Sequence, residues 1–307
     1  MVTRLGMIGI SEGDGHPFSF SSIINGYDDA GLAASGWDGI YQYVRRRDPS
    51  EFGFDGVRVT HAWTQEPETT KRLCASANIP NAVEDPGAML GEVDGVIIAR
   101  DDYASHVELA MPFLEAGLHV FVDKPLSQSP DELRALRPYL ESGKLMSCSG
   151  MRYAKELDEP RATLDTYGEL RLVRGAILNS WEQYGVHLLD AIFNIVHARP
   201  LSVVGLEAKH VSVAVTTEGG PLVQIDALGD VGRCFRVDFF GTARISSHEI
   251  TDNFSMFRRT LWHFVESIRT GAPAIEPHHT LTLMRVLMAG RRAWSEHREV
   301  RLDELHV

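Results

Sequence analysis

Five short apolar runs, at residues 5–10, 57–63, 93–99, 119–122 and 145–149, alternate with stretches at 66–77, 102–117 and 130–142 whose apolar residues recur at helical spacing. In the middle stretch Val107, Ala110, Met111, Phe113 and Leu114 form one stripe, and Gly117 stands where a helix would end. Strands alternating with helices pair in parallel, through right-handed crossovers that cover both faces of the sheet. The first half of the chain therefore predicts an α/β fold, a Rossmann-like doubly wound parallel sheet. A length of 307 residues exceeds what one core ordinarily holds, so a second domain is expected. The expected division is 1–126 and 127–307, with the helix and strand at 129–150 able to pack with the first domain.

In such sheets the loop after the first strand carries G-x-G-x-x-G, because glycines let a diphosphate approach a helix N-terminus. Here the stretch is Gly9-Ile10-Ser11-Glu12-Gly13-Asp14-Gly15-His16-Pro17. Gly9 fits the first position, whereas Ser11 and Asp14 stand at the second and third. Gly13 and Gly15 allow a wider loop, and Pro17 suits a first helical turn. Gly9, Ile10, Ser11 and Gly13 are the candidate cofactor contacts. The alternative is a plain turn that binds nothing, since Glu12 and Asp14 would repel a diphosphate they faced. The second strand ends in Trp63-Thr64, with Thr64 where an acid usually holds the ribose diol. NADP is thus as open as NAD, with Thr64 at the ribose and Trp63 beside the adenine.

Val122-Asp123-Lys124-Pro125-Leu126 delivers a lysine onto a proline at a strand's carboxyl end, where open α/β sheets place their chemistry. The proline keeps Lys124 out of helical backbone angles and ends the strand there. A solvated lysine before a helix is the competing reading. Ala99, Arg100 and Asp101, after the fourth strand, join Asp123 as candidate cofactor contacts. Asp123 should point to the face opposite Lys124 and hold backbone or cofactor.

The net charge of -12 argues against a nucleic-acid partner, which demands a basic face. Cys74, Cys148 and Cys234 are odd in number and far apart, so neither a disulfide framework nor a zinc ribbon is indicated, and a reducing cytoplasm is expected. No apolar run is long enough to span a bilayer, so no membrane partner is expected. His278 and His279 lack further ligands at metal-binding spacing, and no metal is assigned. Arg45, Arg46 and Arg47 lie in a segment at 34–56 read as a solvated insertion or, alternatively, as a lid or anion contact.

Five pieces in order resemble the Gfo/Idh/MocA oxidoreductase family. Val122 to Leu126 resembles its E-K-P segment, with aspartate for glutamate. The run from Ala99 to His106 stands at its T-P-N-x-x-H-like turn, one residue longer and without the proline. Ser149-Gly150-Met151-Arg152-Tyr153 resembles its R-[FY] segment, Gly185-Val186-His187-Leu188-Leu189-Asp190 its G-x-H-x-x-D helix start, and Phe240-Gly241-Thr242 its G-T turn. The resemblance implies an α+β second domain on an open, mostly antiparallel sheet. Runs at 170–179, 202–211, 212–217, 222–228 and 234–240 read as its strands, with turn residues at 218–221 and a closing helix at 280–294.

It also implies NAD or NADP as cofactor and hydride transfer at a carbinol carbon of a sugar, cyclitol or related small molecule. Lys124 would move the proton, with His187 as the second catalytic candidate. Asp190, three residues on, would orient the imidazole or serve as a structural partner. Arg152, Trp181, Gln183 and Tyr184 are candidate substrate contacts, with an Arg152–Glu156 ion pair as the structural alternative for the arginine. Gln183 stands where the family commonly has an aspartate, and an amide cannot take a proton. A homo-oligomer is implied. Two alternatives follow from the same resemblance: a catalytically silent nicotinamide-binding regulator, and a nicotinamide-assisted lyase or glycosidase.

Overall fold

A computed structural model describes residues 2–307, which form two compact units. The first comprises residues 2–126, Ala135–Ser147 and Phe257–Pro277; the second comprises Ser127–Arg134, Cys148–Met256 and His278–Val307. The single boundary expected after residue 126 is thus replaced by several crossings. Two later segments supply the first unit with an edge strand and a covering helix.

In chain order the first half holds β1 (Thr3–Ile8), α1 (His16–Asn25), α2 (Asp29–Ala33), α3 (Asp38–Val44), β2 (Val57–Trp63), α4 (Pro67–Ser76) and β3 (Asn81–Ala82). It continues with β4 (Gly95–Ile98), α5 (His106–Glu115), β5 (His119–Val122), α6 (Pro130–Glu141) and β6 (Leu145–Ser147). The six strands pair in parallel in the order β3-β2-β1-β4-β5-β6. Every residue of β4 and β5 is buried, as expected for central strands covered on both faces. The order reverses between β1 and β4, which opens a crevice at the carboxyl ends of the strands.

The second half adds α7 (Asp158–Thr163), β7 (Leu170–Ile177), α8 (Val186–Phe193), β8 (Pro200–Leu206), β9 (Val211–Thr217), β10 (Leu222–Ala227), β11 (Phe235–Gly241) and β12 (Ile245–Glu249). Then come α9 (Asn253–Thr270), α10 (Pro277–Glu296) and β13 (Val300–Arg301). The sheet of the second unit runs β12-β11-β7-β10-β9-β8-β13 and is antiparallel except for the β7–β10 pair. The strand expected at 202–211 stops at Leu206, and residues 207–210 turn the chain into β9. Residues 218–221 make the expected hairpin turn, with Gly219 at φ 65°.

Helix α9 falls where no element was expected. From Phe257 onward it belongs to the first unit, where Phe264 packs 5.8 Å from Phe121. Gly95 must be small here, because a Cβ would stand 3.0 Å from Ile268 of the same helix. No helix among the described residues is long and apolar enough to cross a membrane.

Candidate active site

The loop after β1 uses glycine where the backbone demands it. Gly9 has φ 101°, and a Cβ there would stand 2.2 Å from the Arg100 side chain; Gly13 has φ 79°. Ile10, Ser11 and Gly13 line a cleft of about 670 Å³ with Gln65, Glu66, Thr69, Arg72, Arg100 and Asp102. Its remaining wall is Glu12, whose carboxylate opposes a diphosphate there, and, from the segment read as an insertion, Ser35, Gly36 and Trp37. Trp37 is wedged beside the loop, since a Cβ on Gly15 would stand 2.5 Å from its ring. Two arginines of that segment are engaged locally, Arg45 over Tyr41 and Arg47 with Glu51.

The residues present fit the adenosine-side half of a dinucleotide. Position at the β1/β4 switch, close-approach glycines, room for a nucleoside and two guanidinium groups all point that way. The helix terminus is a departure, because the amide of His16 is already taken by Asp14 Oδ1 at 2.9 Å. Thr64 is turned inward: its hydroxyl donates to Glu66 O and meets Thr70 Oγ1 at 2.8 Å, so it offers nothing to a ribose. Trp63 donates from Nε1 to Glu84 O at 3.1 Å and lines no part of the cleft. Ala99 is fully buried and continues the β1–β4 ladder through its bond to Ile8 O.

At the ends of β4 and β5 the remaining candidates of the first unit meet. Lys124 is 4% exposed, which removes the reading of a solvated lysine, and its Nζ lies 3.9 Å from Asp101 Oδ2. The Ser11 hydroxyl donates to Asp101 Oδ1 at 2.5 Å, tying the β1 loop to the β4 loop. Arg100 makes a two-pronged pair with Asp102 at 2.6 and 2.5 Å. Asp123 holds backbone, as expected, accepting the Lys124 amide on Oδ1 at 2.8 Å. Its Oδ2 stands 2.5 Å from His16 Nδ1, a residue that sequence reasoning passed over.

Asp14 completes this group, 3.2 Å from His16 Nδ1, with its Oδ2 buried and lacking a hydrogen-bond partner among the described residues. Burial raises the pKa of Asp14 against the opposing pull of His16. Burial also acts to raise that of Asp123, but the His16 charge and hydrogen bond and the Lys124 charge outweigh it and hold the group low. Burial alone would keep His16 neutral; Asp14 and Asp123 together raise its pKa instead.

In the second unit α8 is entered through a π-turn, Trp181–Gly185. His187 is 9% exposed, and its Nδ1 meets Ser149 Oγ at 2.7 Å, so Ser149 rather than Asp190 orients the ring. Asp190 instead accepts from the Ser149 amide at 2.8 Å and from Arg152 Nη1 at 2.8 Å, with His279 Nε2 at 3.4 Å. The partner of Arg152 is therefore Asp190, while Glu156 accepts from the backbone amides of Thr251 and Asp252. Burial raises the Asp190 pKa, but Arg152 and His279 overcome it and lower the group. His279 thus has a place in a hydrogen-bonded cluster.

Trp181 is fully buried, filling the space left by Gly185 and Gly290 and donating from Nε1 to Leu287 O at 2.8 Å. It is a core residue, and the substrate contact expected of it is excluded. Tyr184 sets its ring at 5.2 Å from His187, edge to face, and Gln183 is exposed.

Residues 41–149 match the oxidoreductase family with an NAD-binding Rossmann fold, Gfo/Idh/MocA. A Salmonella typhimurium protein named as an oxidoreductase, YceM, is 28% identical over 175 residues, 54% of this chain and 55% of that protein. A chain from Amycolatopsis mediterranei, named as a UDP-kanosamine synthase oxidoreductase subunit, is 27% identical over 146 residues, 47% of this chain and 39% of its own. The matched regions thus span about half or less of these curated relatives. Scyllo-inositol dehydrogenase from Lactobacillus casei, solved with NAD(H) and scyllo-inositol, superposes with a TM-score of 0.77 at 13% identity, covering 99% of this chain and 100% of that one. Myo-inositol dehydrogenase from Corynebacterium glutamicum gives 0.74 at 16% identity, covering 98% and 99%. These likenesses establish the fold of both units.

Proposed function

We propose that the chain, whose residues 41–149 match the NAD-binding Rossmann fold of the Gfo/Idh/MocA oxidoreductases, is a member of that family and an NAD(P)-dependent dehydrogenase or reductase of a sugar, cyclitol or similar polyhydroxylated molecule. The observation that carries this reading is Lys124: an amine almost wholly withdrawn from water at the carboxyl end of β5, in a sheet whose crevice fits a dinucleotide. The bound dinucleotide would accept or supply the hydride at the carbinol carbon.

Lys124 handles the matching proton. In oxidation it takes the hydroxyl proton as the carbonyl forms, and in reduction it returns that proton to oxygen. Asp101 at 3.9 Å gives the amine a direction. Gly9, Gly13 and the two guanidinium groups of the cleft hold the nucleotide. His187, with Ser149 fixing its ring, is assigned to contact substrate oxygen. The exposed Gln183 offers an amide for a hydroxyl and no proton relay. A cyclitol or sugar is the favoured class because proteins of this fold are named for inositols and one was solved with scyllo-inositol. A homo-oligomer belongs to the same reading and is checked by light scattering.

Calorimetric titration with NAD, NADP and their reduced forms, followed by an absorbance screen over inositols and sugars, tests the proposal. Binding of one dinucleotide and turnover of at least one polyol are expected. Failure of every dinucleotide to bind removes the redox reading.

A further inference from the structure

His16 has no part in the reading above, yet it sits at the centre of the charge cluster in the first unit. Its Nδ1 is 2.5 Å from Asp123 Oδ2 and 3.2 Å from Asp14 Oδ1. Phe20 stacks on the ring at 4.9 Å, and Phe257 of α9 meets it edge-on at 4.8 Å, so the imidazole cannot swing away. The other oxygen of Asp123 accepts the backbone amide of Lys124 at 2.8 Å. One carboxylate therefore ties the imidazole to the residue that bears the amine.

Resting on the assignment of proton transfer to Lys124, we propose that His16 is its positioning residue: an imidazolium clamped between Asp14 and Asp123 that fixes where β5 releases the lysine and adds a positive charge beside the amine. The charged groups facing His16 are Asp14 from its own loop and Asp123 and Lys124 from the end of β5; Asp101, at the end of β4, faces Lys124. From α9 comes the uncharged ring of Phe257. Two carboxylates around one ring favour its protonated form, and a second cation nearby disfavours a proton on the lysine by the same interaction that Lys124 exerts on His16. The two acids differ in environment: His16 and Lys124 draw Asp123 down, whereas burial raises Asp14, whose Oδ2 has no hydrogen-bond partner among the described residues.

The same three donor atoms lie within 4.8 Å of one another, a spacing that a metal ion could also use. A divalent ion would hold ligands at about 2.0–2.2 Å and keep them about 3 Å apart. The Nδ1–Oδ2 contact of 2.5 Å suits a shared proton instead, and Lys124 places a positive charge alongside.

The test is an NMR titration of the full chain with ¹³C-labelled lysine and histidine, which needs no turnover. In the wild-type protein His16 should stay protonated well above the pH at which an exposed imidazole titrates, and the Lys124 signal should show a step at the pH where His16 loses its proton. In His16→Asn the amine should titrate about one pH unit higher, and kcat should fall about tenfold or more with cofactor Kd unchanged, which a merely structural role would not produce. Asp123→Asn should return His16 to an ordinary titration. An ordinary wild-type titration of His16, or an unmoved lysine in folded His16→Asn, overturns the proposal. So does Zn²⁺ or Mn²⁺ binding at micromolar level that His16→Asn abolishes, which would make the cluster a cation site. Absence of polyol turnover with the coupling present would instead overturn the functional reading and leave the His16–Lys124 coupling standing.

Discussion

Two buried clusters, one in each unit, are built from similar residues and behave differently. Around Asp190 a single carboxylate accepts from an amide and from Arg152, with His279 beside it, so its ionised form is secured from several sides. Around His16 two carboxylates compete for one imidazole, their pKa values move in opposite directions, and one oxygen has no hydrogen-bond partner among the described residues. The first arrangement fixes side chains in place; the second leaves a proton with several possible owners beside a buried amine. That contrast fits the proposed division, with scaffolding at the Asp190 cluster and proton chemistry in the surroundings of Lys124.

The contrast is broken most directly at Lys124. Lys124→Met should lower kcat about a thousandfold while dinucleotide Kd stays within about threefold, read by stopped assay and calorimetry; a retained rate would remove the lysine from the chemistry. Next comes Asp190→Ala, which strands the Arg152 charge and should cost about 3 kcal/mol in denaturant unfolding. A loss under about 0.5 kcal/mol would mean that this cluster is no scaffold.

The two clusters should also respond to pH with opposite sign. His16 has a raised pKa, so its contribution is fully present below the ordinary histidine value of about 6.5 and disappears as pH rises through the raised one. Asp190 has a lowered pKa, so its contribution is present above about 3.9 and disappears as pH falls through the lowered one. Stability differences between wild type and His16→Asn should therefore shrink on the alkaline side, and those for Asp190→Asn on the acid side. The smallest effect is expected at Gln183→Asp, on an exposed position, with turnover changing less than about threefold. A large gain would show that the missing carboxylate limits the reaction.

The alternation of apolar runs made the first sheet legible, because fully buried parallel strands leave short unbroken hydrophobic signatures. Helix α9 carried an equally readable signal in Phe254, Phe257, Leu261, Phe264, Val265 and Ile268, spaced for one face. Its membership in the first unit was not legible, since no local pattern tells a late helix which sheet it will cover. In the phosphate loop the glycine pattern looked broken, yet Gly9 and Gly13 both take positive φ. The strand-end position of Lys124 was readable from the apolar run before it and the proline after it. His16 was passed over because it reads as helix-start filler before Pro17, although a histidine two residues from an aspartate at a strand–helix junction was a usable cue. Trp181 was misassigned because its neighbours are cleft residues in the resembling family; only the room made by Gly185 and Gly290 sends it inward.

The return of residues 257–277 to the first unit also governs how the protein can be divided. A fragment ending near residue 150 would carry the whole parallel sheet but lack the ring of Phe264 against Phe121 and the side chain of Ile268 beside Gly95. Phe257, one of the two rings holding His16, would be missing too. Anyone isolating a minimal nucleotide-binding piece must stitch that late helical segment back on, since the amino-terminal half alone would expose a greasy sheet face and loosen the loop that begins α1.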